Sequence, residues 1–198
     1  CDLQRAQENK LDAILKKAEV SGTDHVLEVG CGWGSWAVRA AQKTGCRVTG
    51  ITLSHEQKRF ADQKIAALGL SDRIDIRLLD YREVEGSFDR IVSIEMAEAV
   101  GHDYLPLFFK TCDRLLKPGG IAVFQVITIP DDRYDVYRKR SDWIQKHIFP
   151  GGTLPSLAVL REAAGSAGLK TRDIESFGLH YARTLCEWRE NFRGNEKK

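Results

Sequence analysis

Between residues 24 and 129 short β-rich runs take turns with longer helical ones. "HVLEV", "CRVTGITL", "RIDIRLL", "FDRIVSI" and "GIAVFQVITI" alternate with "SWAVRAAQKTG", "SHEQKRFADQKIAALG" and "YLPLFFKTCDRLL". Strand and helix in alternation require right-handed crossovers, and hence a mostly parallel, doubly wound sheet with helices on both faces. A chain of 198 residues suits one such α/β domain. Its 42% hydrophobic and 29% charged residues supply an ordinary core and exclude disordered and collagen-like classes.

The flanks complete a single domain. Residues 1–20 carry Leu11, Ile14, Leu15 and Ala18 at helical spacing, which predicts a one-faced helix before the 24–129 core. Ser54 followed by Gln57 reads as a capping box, Gly69 as a helix C-cap, and "KPGG" at 117–120 as a turn into the last β-rich run. After Pro130 the alternation lapses. Residues 130–168 then read as a helical lid over the carboxyl ends of the strands, where open parallel sheets bind ligands. Residues 169–198 are expected to hold a late strand and the start of a C-terminal helix.

Composition also narrows function. The 30 Lys+Arg against 28 Asp+Glu give a net charge of +2, too small and dispersed for a nucleic-acid footprint. Cys1, Cys31, Cys46, Cys112 and Cys186 form no C-x-x-C pair and stand at no zinc spacing with histidine. Reduced thiols and no metal are expected. No apolar run reaches the ~18 residues of a membrane span, and the charged start lacks a signal peptide's apolar centre. The expected location is cytoplasmic.

"VLEVGCGWGSW" at 26–36 is a strand, a glycine turn and a helix start. The spacing Gly30, Gly32, Gly34 is G-x-G-x-G rather than the dinucleotide G-x-G-x-x-G, and it holds Cys31 and Trp33. Glu28, at the expected mouth of the turn, repels a pyrophosphate and suits a cation, and the glycines let that ligand approach the backbone. S-adenosylmethionine, with its sulfonium, is such a ligand. A plain strand-to-helix turn with a solvated acid is the other reading.

The wider pattern favours the ligand. "VLEVGCGWGSWA", "GITLSHEQ", "DYR", "DRIVSIEMAEAVGHDYLPLFF", "LKPGG", "IFPGGTLPS" and "FGLHYARTL" stand in the order, and at about the spacing, of the cyclopropane fatty acid synthase and mycolic acid methyltransferase family. The resemblance covers nearly the whole chain and implies a Rossmann-like class I methyltransferase fold. It implies alkylation of an unsaturated fatty acyl double bond, through a carbocation deprotonated by bound bicarbonate. "WRENF" resembles the beginning of the helix that leads this family into its last strands, so both ends are expected to continue in a longer chain.

Carried over residue by residue, the resemblance assigns the site. Thr52 and Leu53 stand where most class I methyltransferases end the second strand near a ribose-binding acid, leaving Gln57 as cap or cofactor contact; the family's T-L-S-x-x-Q favours contact. Asp80, Tyr81 and Arg82 are expected to accept from and cover adenine, with a solvated turn as the alternative. Glu95 and Glu98 lie where the methyl group should point, and Glu98 matches the position that holds bicarbonate. An N-cap for the next helix is its alternative role. Tyr181 matches the bicarbonate-binding tyrosine. Gln125 departs from the family's histidine; an amide can hydrogen-bond the ion but not take its proton. The family's remaining ion ligand is a cysteine upstream of the first helix, and Cys1 does not match it.

The acceptor is expected to be an unsaturated phospholipid or a chain on an acyl carrier. Arg133, Arg138, Lys139 and Arg140 among Tyr134, Tyr137 and Trp143 would suit peripheral contact with anionic headgroups, or merely a solvated face. Rival readings are methyl branching through the same cation, a small-molecule N-methyltransferase with Glu98 holding the amine, and an inactive homologue. Oligomeric state is not legible.

Overall fold

The structure, a computed structural model, describes residues 2–195; Cys1 lies outside them. Helix α1 (Leu3–Lys17) precedes β1 (His25–Val29), α2 (Ser35–Thr44), β2 (Arg47–Thr52), α3 (His55–Ala67), β3 (Ile74–Leu78), β4 (Phe88–Ile94), α4 (Leu105–Leu115) and β5 (Leu116–Gln125). Then come α5 (Asp131–Tyr137), α6 (Trp143–His147), α7 (Leu157–Ser166) and α8 (Gly178–Gly194). The five strands pair in parallel in the order β3-β2-β1-β4-β5, the doubly wound α/β sheet that the alternation predicts.

Two-residue periodicity divides the core between the sheet's faces. Val26, Val48, Ile74, Ile76 and Val92 pack with Ile14 of α1, Trp36 and Ala37 of α2, and Ile65 of α3. On the other face Leu27, Val29, Ile51 and Ile91 meet Leu105, Phe108, Phe109 and Cys112 of α4, and Ala163 of α7. Both layers hold the strands' carboxyl ends along one edge, and the site residues lie on that edge.

Local signals act largely as their chemistry requires. Ser54 accepts from the Gln57 amide at the start of α3. At its end Gly69, at φ 66°, donates to Ala66 and Leu70 donates to Ile65. The expected turn at 117–120 is instead the first half of β5. Its register against β4 breaks between Phe88 and Arg90, and Gly119 at φ 77° absorbs the irregularity.

The expected late strand is not formed. Residues 169–177 have no regular structure, because a strand needs a ladder partner and no strand of the described residues lies beside them. They are tied instead by side chains: Lys17 reaches Asp173 at 2.7 Å and Glu175 at 3.0 Å. The C-terminal helix already starts at Gly178, so "WRENF" is its second half and Tyr181 sits in its first turn. Residues 130–168, expected as a lid, form α5, α6 and α7, and α7 packs into the core beside α4. Asp142 and Gln145 form a reciprocal capping box on α6, and the Gln145 amide also donates to Gly152 O at 3.0 Å. No described helix is long and apolar enough to cross a membrane.

Candidate active site

The glycine turn is built from backbone hydrogen bonds. Gly30 and Cys31 both donate to Ile51 O, at 3.1 and 2.9 Å, and Gly34 donates to Cys31 O at 3.0 Å. Gly30, Gly32 and Gly34 have φ of 79°, 53° and 73°, a region that disfavours side chains. A side chain at Gly30 would meet Met96 Cγ at 2.9 Å, whereas one at Gly32 would point into open space. The turn is therefore closed behind by the end of β4 and open in front, a cradle that any Cβ would start to fill.

Glu28 does not stand at the mouth of this cradle, as the sequence suggests. Strand alternation sends it with Val26 toward α2, and it is 2% exposed. Burial pushes its carboxyl well above the usual carboxylate range, opposed by a hydrogen bond from the Ala37 amide. Gly34, the N-cap of α2, has no side chain to cap with, so Glu28 takes that part from beneath. Cys31 likewise faces inward: it is buried, and its thiol is pushed up to about 12, chiefly by burial. Trp33 and Leu53, 52% and 72% exposed, border the turn outwardly, and Trp33 meets Phe60 edge-on at 5.3 Å.

At the end of β2 Thr52 Oγ1 donates to Gln57 Oε1 at 2.7 Å and accepts from the Ser54 amide at 3.1 Å. The Gln57 side chain thus completes a small network rather than the second half of a capping box, leaving its amide nitrogen for a ligand. Beyond β3, Asp80 accepts from the Arg82 guanidinium at 2.9 and 2.7 Å and from the Arg82 amide at 2.9 Å. Those hydrogen bonds hold its carboxyl below the usual range. Tyr81 packs edge-on against Phe108 at 5.3 Å. Of the "YLPLFF" run, Phe108 and Phe109 belong to the core, while Tyr104 and Leu107 are exposed.

The carboxyl ends of β4 and β5 bring Glu95, Glu98, Gln125 and Tyr181 together. Glu95 has φ 52°, costly for a non-glycine residue; its amide donates to Gln125 O at 2.8 Å and its Oε1 accepts from Gln125 Nε2 at 2.7 Å. Lys10 of α1 lies 4.0 Å from the same oxygen. Glu98 Oε1 accepts from the Ile127 amide at 2.6 Å, while burial raises its carboxyl above the usual range, with a further push from Glu95. Glu98 Oε2 and Gln125 Oε1 are buried without partners. The Tyr181 hydroxyl is raised by burial and then by Glu95 and Glu98.

Residues 130–168 touch this cluster at Glu98. Thr153 donates to Glu98 O at 2.8 Å, and Tyr134 is buried against His102 with a 2.7 Å hydrogen bond. Tyr137 takes the Leu154 amide and Arg138 pairs with Asp135, so these members of the basic, aromatic run are engaged internally. Outward go Trp143, Ile144, Ile148 and Phe149. Lys10, Phe60, Met96 and Ile127 join the site without having been expected from the sequence. Only Ile127, just past the end of a strand that reaches the site, carried a usable signal.

Comparison with known proteins gives this geometry a family. The model of the family described as mycolic acid cyclopropane synthetase matches residues 1–198. Tuberculostearic acid methyltransferase UfaA1 of Mycobacterium tuberculosis is 45% identical over 192 residues, 96% of this chain and 45% of that protein. The cyclopropane-fatty-acyl-phospholipid synthase of Escherichia coli K12 is 37% identical over 191 residues, 96% of this chain and 48% of that protein. The chain thus spans about half the length of these curated relatives. Mycolic acid cyclopropane synthase CmaA1, in a crystal structure with SAH and CTAB, superposes with a TM-score of 0.91 at 31% identity, covering 99% of this chain and 72% of that one. A class I methyltransferase fold, an open glycine turn and a carboxyl-lined strand edge thus meet in one chain, which belongs to the mycolic acid cyclopropane synthetase family.

Proposed function

We propose that this chain is the S-adenosylmethionine-dependent part of an enzyme that alkylates the double bond of an unsaturated fatty acyl lipid. The observation that carries the reading is the pair of buried, unpartnered oxygens of Glu98 and Gln125 at the strand edge that also holds the open glycine turn. The turn's fit to the cofactor rests on Gly32, whose missing side chain leaves the cradle clear. S-adenosylmethionine, when bound, supplies an electrophilic methyl group. Trp33, Leu53 and Phe60 offer it apolar cover, the Gln57 amide a donor, and Tyr81 a ring edge for adenine.

In the reaction the alkene's π pair forms the new carbon–carbon bond as the carbon–sulfur bond breaks, leaving a cation on the acyl chain. Loss of a proton from the transferred methyl group, with closure of a second carbon–carbon bond, gives a cyclopropane. Bicarbonate, when bound, supplies the base. Glu98, Gln125 and Tyr181 would hold it, and burial keeps Glu98 toward the protonated form in which it donates to an anion. Tyr104 and Leu107 give the acyl chain apolar surface. Acyl chains would arrive from an anionic membrane at the inner face of the cell envelope or from a carrier, along the side of Trp143 and Phe149.

A second reading has one observation in its favour: Glu98 Oε2 and Gln125 Oε1, two unpartnered acceptors, would also suit an amine awaiting N-methylation. One experiment separates the readings. The protein is incubated with methyl-labelled S-adenosylmethionine, bicarbonate and vesicles of monounsaturated phospholipid, with a parallel mixture of small amines. Label in acyl chains with upfield ring protons is expected. Acyl label without ring protons overturns ring closure in favour of methyl branching, and label in the amines alone overturns the lipid reading.

A further inference from the structure

The wall formed by Glu98 and Gln125 holds two buried side-chain oxygens. Glu98 Oε2 and Gln125 Oε1 are buried, and neither has a hydrogen-bond partner. Glu98, toward its protonated form, carries its own hydrogen, but the amide oxygen of Gln125 is a buried acceptor, costly to leave unmet, so the group that meets it must bring a donor. Chemistry fixes which way the amide lies. The atom 2.7 Å from Glu95 Oε1 must be the Gln125 nitrogen, since a carboxylate accepts. Glu95 is itself held, by its backbone hydrogen bond to Gln125 O at 2.8 Å and by Lys10 at 4.0 Å from Oε1. With its nitrogen committed, the amide keeps its oxygen turned away from Glu95 as a fixed acceptor.

We propose that Gln125 makes this site selective for a planar oxyanion that carries its own O–H, accepting that hydrogen through Oε1, and that Glu95 is its positioning residue. The proposal rests on the bicarbonate reading above and adds which anions the site refuses. Bicarbonate has one O–H to give. Nitrate has the same shape and charge and none, so it would meet Oε1 lone pair to lone pair. A histidine in place of Gln125 could turn a donor to either anion, whereas the held amide, with one N–H on Glu95, fixes its oxygen as an acceptor there. The departure from the family's residue thus becomes a device for discrimination.

Binding alone tests this, without turnover. Line broadening of 13C-bicarbonate is followed on the protein saturated with S-adenosylhomocysteine, with nitrate as competitor at constant pH and ionic strength. The wild-type protein should prefer bicarbonate by about tenfold or more, the scale of one buried hydrogen bond, and this measurement needs no variant. Gln125→Met should bring the two ions within about threefold by weakening bicarbonate. Glu95→Leu should do the same with Gln125 intact, because the amide is then free to turn. Glu95→Gln keeps an oxygen for Gln125 Nε2 and should restore most of the preference, which a merely structural role for Glu95 would not require. Circular dichroism melting accompanies each variant.

Equal binding of both ions by the wild type, or an undiminished preference in Gln125→Met, overturns the proposal while bicarbonate binding stands. No broadening by the wild type overturns the bicarbonate reading and this proposal with it. The labelled-lipid assay reports separately whether methyl transfer survives.

Discussion

Glu28 illustrates how one residue's role turns on direction. Two positions before a glycine turn, an acid reads as a partner for a cation, but strand alternation points it beneath α2, where it caps the helix that Gly34 cannot. Its raised carboxyl has a consequence for stability. A group whose pKa is higher folded than unfolded stabilises fully below the unfolded value, near 4.5, and that contribution is lost as pH rises through the folded value. Glu28→Gln keeps an acceptor for Ala37 and removes the ionisation. Its urea unfolding free energy should therefore fall less between pH 5 and pH 8 than that of the wild type. Glu28→Ala removes the cap as well and should cost about 1–2 kcal/mol at pH 5. An identical pH slope in Glu28→Gln would show that Glu28 does not titrate upward in the fold.

Among the elements, the lid shows what short helices depend on. Helix α6 has five residues and no buried side chain, so its stability comes from its ends. Gln145 serves both: it closes the capping box with Asp142 and ties the helix to Gly152. Gln145→Ala should raise amide hydrogen exchange across residues 142–152 by about fivefold or more, the size of a lost cap, and leave the global melting transition within about 0.5 kcal/mol. Unchanged exchange would mean that packing, not the cap, holds α6. Helix α3 offers the contrast. Its capping pair, Ser54 and Gln57, was legible, yet the Gln57 side chain went to Thr52, a neighbour five residues back that only the strand's end brings close.

For the whole molecule, the two core layers on the parallel sheet carry stability, and α8 lies outside them. None of its residues is buried, and its first turn carries Tyr181, which the proposed site includes. A chain ending at residue 177 should unfold within about 0.5 kcal/mol of the whole chain, because no core contact is lost, and should lose bicarbonate binding. A large loss of stability in urea would show that α8 packs more firmly than its exposure indicates. The parallel sheet, the glycine turn and the family were determined by the sequence itself, because period-two and helical patterns, turn glycines and ordered motifs are local and read along the chain. Local patterns also led astray where partners decide: "TRDIESF" has strand-like residues but no ladder to join among the described residues, and Glu28 is buried rather than at an open mouth of the turn. The tertiary structure alone decided which side chains meet across that distance. Lys10, Glu95, Gln125 and Tyr181 come from four elements far apart in the chain, and only the shared strand edge brings them into one electrostatic neighbourhood.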